Sequence, residues 1–125
     1  MTTFELTIND KVYEFKAGIG FLRDANKRVQ QKIEGSDRVK DTGLQFLVAG
    51  LIDGEVEDLI DALDLMNKGF EPRLTKKQIE EYIEEVEDID KLFDDVLGFL
   101  KNANVSKRIT NNLLKAVEEQ KKKKR

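Results

Sequence analysis

The sequence predicts an α+β fold, predominantly α-helical, with an N-terminal β-hairpin followed by about five amphipathic helices. Three observations carry that reading. Apolar and polar residues alternate between Phe4 and Phe15, apolar residues recur at helical spacing through nearly everything downstream, and Thr-x-x-Gln capping signatures precede two of the helical runs.

The hairpin comes first. Phe4, Leu6 and Ile8 alternate with Glu5 and Thr7, Asn9 and Asp10 supply a tight turn, and Val12, Tyr13 and Phe15 return between Lys11, Glu14 and Lys16. A two-stranded hairpin is marginal by itself in water, so its apolar face requires a cover from the helices that follow. After a corner at Ala17, Gly18 and Gly20, the residues Phe21, Leu22, Ala25, Val29 and Ile33 predict a helix reaching Gly35. The corner is not a phosphate-binding glycine loop, because Arg23 holds the third glycine position and no long buried strand precedes it.

Ser36 to Asp41 reads as a loop, and Thr42 with Gln45 as a capping box opening a helix through Leu44, Leu47, Val48, Leu51 and Ile52. That helix is apolar nearly all round, so it is expected to be the most buried one. Asp53 and Gly54 break or bend it. Val56, Leu59, Ile60, Leu63 and Met66 form the next stripe, which stops at Gly69 before an extended stretch at Pro72. Thr75 with Gln78 then caps a helix bearing Ile79, Tyr82, Ile83 and Val86.

From Glu80 to Asp95 there are nine acids and one base. Either a new helix starts at Asp88, which turns those acids into an N-terminal asset, or one helix runs through unbroken. In both cases Ile89, Leu92, Phe93, Val96, Leu97 and Leu100 make the strongest apolar stripe. Asn102, Asn104 and Ser106 supply a loop and a cap, and Ile109, Leu113, Ala116 and Val117 a weaker last helix. We expect a single domain over residues 1–120 and a disordered basic tail over 121–125.

Composition narrows the chemistry. The 125 residues suit one domain, and the charged fraction of 38% stands well above the roughly 25% of ordinary globular chains. Without histidine or cysteine the common general base, the common zinc ligands, disulfides and thiol nucleophiles are all missing. The abundant carboxylates single out no acid–base pair, and neither Asp53 to Asp64 nor Asp88 to Phe99 has the glycine and glutamate of a calcium loop. We therefore expect no catalytic residue, no cofactor and no metal.

A net charge of -3 offers no general attraction for nucleic acid, and the basic tail carries no aromatic residue on which bases would stack. The longest apolar run, the seven residues from Phe46 to Ile52, is too short to span a bilayer, and the first residues do not form a signal peptide. What remains is an interaction domain. Its candidate partner-binding residues are Leu92, Phe93, Val96, Leu97 and Leu100, on the strongest stripe.

The same residues in order resemble the phage tail assembly chaperones of long-tailed phages and prophages of Gram-positive bacteria. The likeness lies in Phe4-Glu5-Leu6-Thr7-Ile8-Asn9-Asp10-Lys11-Val12-Tyr13-Glu14-Phe15-Lys16, in Gly18-Ile19-Gly20-Phe21-Leu22-Arg23, in Gly43-Leu44-Gln45 and in Ala49-Gly50-Leu51-Ile52-Asp53-Gly54. It continues to Leu74-Thr75 and the acidic run Glu80-Glu81-Tyr82-Ile83-Glu84-Glu85, with Asp10 standing where glycine is commoner. The resemblance implies a non-catalytic protein of the host bacterial cytoplasm, absent from the finished virion, that binds the tape measure protein and keeps it soluble during tail tube assembly. It also implies self-association, and a longer form of the same protein made by frameshifting, for which Lys121 to Lys124 would be the slippery codons. The alternative is an acidic helical adapter or regulator of another cytoplasmic protein.

Overall fold

The computed structural model describes residues 3–123. In chain order these are strands β1 (Phe4–Ile8) and β2 (Lys11–Phe15), helix α1 (Ile19–Asn26), strands β3 (Gln30–Lys32) and β4 (Val39–Asp41), then helices α2 (Gly43–Ile52), α3 (Val56–Asn67), α4 (Lys76–Glu85), α5 (Ile89–Asn102) and α6 (Lys107–Lys123). The architecture is α+β and predominantly helical, as expected, with an antiparallel hairpin leading it.

Asn9 and Asp10 both adopt positive φ, 52° and 66°, which is what a two-residue hairpin turn of the twist-matching kind demands. That turn fixes the register, pairing Phe4 with Phe15 and Leu6 with Tyr13, so one face presents all four. Tyr13 and Phe15 are buried, and Phe4 packs its ring 5.7 Å from both Phe15 and Phe99 of α5. The cover required by the hairpin therefore comes from α5, with α3 behind β2. Glycine adopts positive φ without the Cβ penalty that aspartate carries, so Asp10→Gly is expected to stabilise the fold by about 0.5 kcal/mol. A thermal melt that fell instead of rising would contradict this account of the turn.

The first helix is shorter than the sequence predicted. It ends at Asn26, and Val29 to Asp41 fold into a second antiparallel hairpin, β3–β4, where a helical continuation to Gly35 and a loop were expected. Val29 and Ile33 are four apart, a spacing that suits a helix, but both are β-branched and Gly35 sits at φ 79° in the connecting turn. The ladder is prolonged by Thr42 N–H donating to the Val29 carbonyl at 2.8 Å. Asn26, at the true helix end, accepts from Leu44 N–H at 3.0 Å and so caps α2 from outside.

That external cap replaces the expected capping box at Thr42 and Gln45. Thr42 occupies the N-cap position but makes no side-chain cap bond, and its buried hydroxyl has no hydrogen-bond partner. The second predicted box forms: Thr75 Oγ1 accepts from Gln78 N–H at 3.1 Å, and Gln78 Oε1 accepts from Thr75 N–H at 2.9 Å. The acidic run breaks after Glu85. Asp88 caps α5 by accepting from Lys91 N–H at 3.0 Å, which decides between the two readings of that segment in favour of a new helix.

The core is assembled from the inward faces of all the larger elements, with Leu44, Val48, Leu59, Leu63, Ile79, Val96 and Leu100 fully enclosed. At the α2–α3 corner the Asp58 side chain lies directly against Gly50, where a Cβ would overlap its carboxylate. Burial, and then the neighbouring charge of Asp61, push the Asp58 carboxyl above its ordinary range, while Arg28 opposes the shift. Arg28 and Lys76 both pair with Asp61, tying the segment after α1 and the start of α4 to α3. The helix α6 continues through Lys123, so it overlaps the tail expected over 121–125, of which Lys124 and Arg125 lie outside the described residues.

Candidate functional site

The stripe selected from the sequence faces inward. Val96 and Leu100 are wholly enclosed, Leu92 and Phe93 are buried, and Leu97 alone is half-buried at the margin of the core. The reason lies in α5's neighbours. It packs against both α2 and α6, so its apolar side is consumed by the fold. Contact with a partner through Leu92, Phe93, Val96 or Leu100 would require α5 to lift from those helices; Leu97 has surface to offer as it stands.

Some exposed apolar surface lies instead on α2, the helix expected to be most buried. Leu44, Leu47, Val48 and Leu51 point inward, while Phe46 is 49% exposed. Its phenyl ring is thus partly in water on a helix whose leucines and Val48 face the core. Phe46 lines a small groove of about 160 Å³ with Gln31 of β3, Gln45 and Ala49 of α2, and Leu113 of α6. Its volume suits one large apolar side chain, and no charged residue lines it.

A second, wider depression of about 630 Å³ flanks the same α2–α6 contact, with Ile52, Leu114 and Val117 below and Lys101, Lys115 and Glu118 around them. The two depressions give this side of the molecule a mixed character: half-buried aliphatic side chains between exposed charges. Such a surface suits a helix laid against it by its apolar side. Among the described residues no group of histidine, cysteine, aspartate or glutamate is arranged to hold a metal, and no helix is long and apolar enough to cross a membrane.

The sequence held a signal for Phe46 that stripe counting passed over. On a 3.6-residue helix Leu44, Leu47, Val48 and Leu51 share one side, and Phe46 falls outside that arc beside Gln45 and Ala49. Val12, Ile19, Ile33 and Val56 are the other exposed large hydrophobics, and none of them lines the Phe46 groove.

Comparison with known proteins adds the following. A family model described as phage tail assembly chaperone protein matches residues 5–115. No curated protein and no solved structure matches the chain.

Proposed function

The chain belongs to the phage tail assembly chaperone family, and on that premise we propose that it binds the tape measure protein and keeps it soluble while the tail tube assembles. The family is one of chaperones and is not a known enzyme family. A tape measure protein is a long helical client with apolar stripes, and exposed stripes aggregate unless a partner covers them. The Phe46 groove supports this reading best: it offers an aromatic anchor and a socket for one client side chain, on a helix whose inner face is locked in the core. The depression at Ile52, Leu114 and Val117 extends the contact along α6. Outside these patches a chain that is 38% charged keeps the complex in solution.

The same reading places the protein in the host bacterial cytoplasm and outside the mature virion, with several copies along one client. It also includes a frameshifted longer form, with the codons of Lys121 to Lys124 as the slip site. The gene sequence tests that last part directly, since codons without an adenine run, and no overlapping frame, would remove it.

The experiment for the client is co-expression with the tape measure protein of the same genome, scoring its soluble fraction and whether the two co-purify. Wild-type protein is expected to rescue and co-purify. Phe46→Glu is expected to leave the fold within about 1 kcal/mol of wild type, because the ring is half-exposed, and to weaken client binding about tenfold or more. Val96→Ser is expected to unfold the domain, since that side chain is wholly enclosed. A folded Phe46→Glu protein that held its client as well as wild type would remove the groove from the reading. Failure of the wild-type protein and of its longer form to solubilise the client would remove the reading itself.

A further inference from the structure

The β3–β4 hairpin stands largely in water. Of its described side chains from Gln30 to Lys40, all are exposed except the half-buried Ser36. Three ladder pairs and an Ile33 N–H bond to the Arg38 carbonyl at 2.9 Å hold it together, and a two-stranded ribbon without a cover is marginal in water. Gln31 nevertheless lines the Phe46 groove beside α2 and α6, so one face of the hairpin continues the wall of that groove.

The register assigns residues to that face. Gln31 pairs with Lys40, and alternation puts Ile33 and Arg38, which face one another, on the same side; Gln30, Lys32 and Asp41 fall on the other. The groove side therefore carries two bases and no acid, on a chain in which acids outnumber bases by 25 to 22. Glu34 and Asp37 lie in the turn beyond the ladder. Among the described residues no ion pair involves Arg38 or Lys40. Ile33, on the same face, is 41% exposed.

An uncharged socket for one apolar side chain thus adjoins a guanidinium and an ammonium, the groups that bind carboxylates. We propose that the hairpin face of Gln31, Ile33, Arg38 and Lys40 completes the Phe46 groove, and that the client segment it takes is an acidic amphipathic helix. That helix sets a large apolar residue in the groove and an aspartate or glutamate three or four positions away. The inference rests on the client reading above and adds the charge of the segment recognised. The spacing follows from dimensions: β3 rises about 6.8 Å from Gln31 to Ile33 and its partner strand lies about 4.8 Å away, while one helical turn advances about 5.4 Å. A client side chain one turn from the anchor therefore comes opposite Lys40 or Arg38. Exposed pairs of this kind select between segments more than they add affinity.

The test uses the full chain with a photo-cross-linking phenylalanine analogue in place of Ile33, co-expressed with the tape measure protein of the same genome. The cross-linked client peptide is expected to hold a large apolar residue with an acid three or four positions away. Arg38→Glu combined with Lys40→Glu is expected to bind the client about tenfold more weakly. Replacing the mapped client carboxylates with lysine should restore binding to that variant, which a misfolded hairpin would not allow. With the client co-purifying, the proposal is overturned by any of three results: position 33 cross-linking to nothing or to a second copy of this chain, a mapped segment without a neighbouring acid, or a charge reversal that costs nothing or is not restored. A client that does not co-purify with the wild-type protein removes the client reading itself, and this inference with it.

Discussion

Replacing Asn67 with alanine is expected to destabilise the domain by about 3 kcal/mol, a large part of the roughly 5–15 kcal/mol by which such domains are stable. Asn67 is completely enclosed at the end of α3, and its amide joins three segments. Nδ2 donates to the Glu14 carbonyl of β2 at 2.9 Å; Oδ1 accepts from Leu74 N–H at 2.6 Å and from the Arg73 guanidinium at 2.9 Å. Alanine would leave a buried backbone N–H at Leu74 and the Glu14 carbonyl without partners, and an unmade buried hydrogen bond costs more than a made one contributes. Urea unfolding measures the loss. Asn67→Asp is a useful companion, since it keeps the acceptor for Leu74 and Arg73 but sets a carboxylate against the Glu14 carbonyl, so it too should destabilise. A midpoint for Asn67→Ala within about 0.5 kcal/mol of wild type would mean the hub is not structural.

Gly43→Ala is expected to cost a similar amount, about 3 kcal/mol, by steric overlap and not by lost bonding. A Cβ at Gly43 would overlap the carbonyl oxygen of Ala25, and that atom belongs to the backbone of α1, which cannot swing aside as a side chain does. Accommodating it means separating α1 from α2 and breaking the Asn26 cap on Leu44 N–H. The same substitution at Gly20, within α1, meets nothing within 4 Å and should instead stabilise by about 0.5–1 kcal/mol, as alanine generally does over glycine in a helix. Opposite signs at the two positions in parallel thermal melts are the expected result. Equal, small effects would show that the α1–α2 approach is looser than described.

Much of the fold was legible because it rests on local rules. The Asn9-Asp10 turn, the alternation on either side and the Thr75–Gln78 box each involve residues within three or four positions of one another, while the Asp88 cap was one of two readings that the sequence left open. Where the sequence reading departed from the structure, a distant residue had decided the matter. Asn26 took over the capping of α2 from Thr42 across eighteen positions, and the β3–β4 ladder overrode a spacing in Val29 and Ile33 that a helix would have used equally well. The candidate site was hard to read for the same reason. An apolar stripe announces that it will be covered, but whether α2 and α6 or a partner covers it depends on where the chain returns in space.

By itself, then, the sequence determined the class of the fold, the leading hairpin and its register, the start of α4, and the family to which the chain belongs. All are consequences of residue type and short-range spacing. Only the tertiary structure decided which apolar side chains stay in water. Leu92, Phe93, Val96 and Leu100 were drawn inward because α5 is sandwiched, whereas Phe46 was left outside because α2 can turn one side to the core and its ring lies off that side. Burial is a property of the packed assembly of helices, and no single stripe contains it.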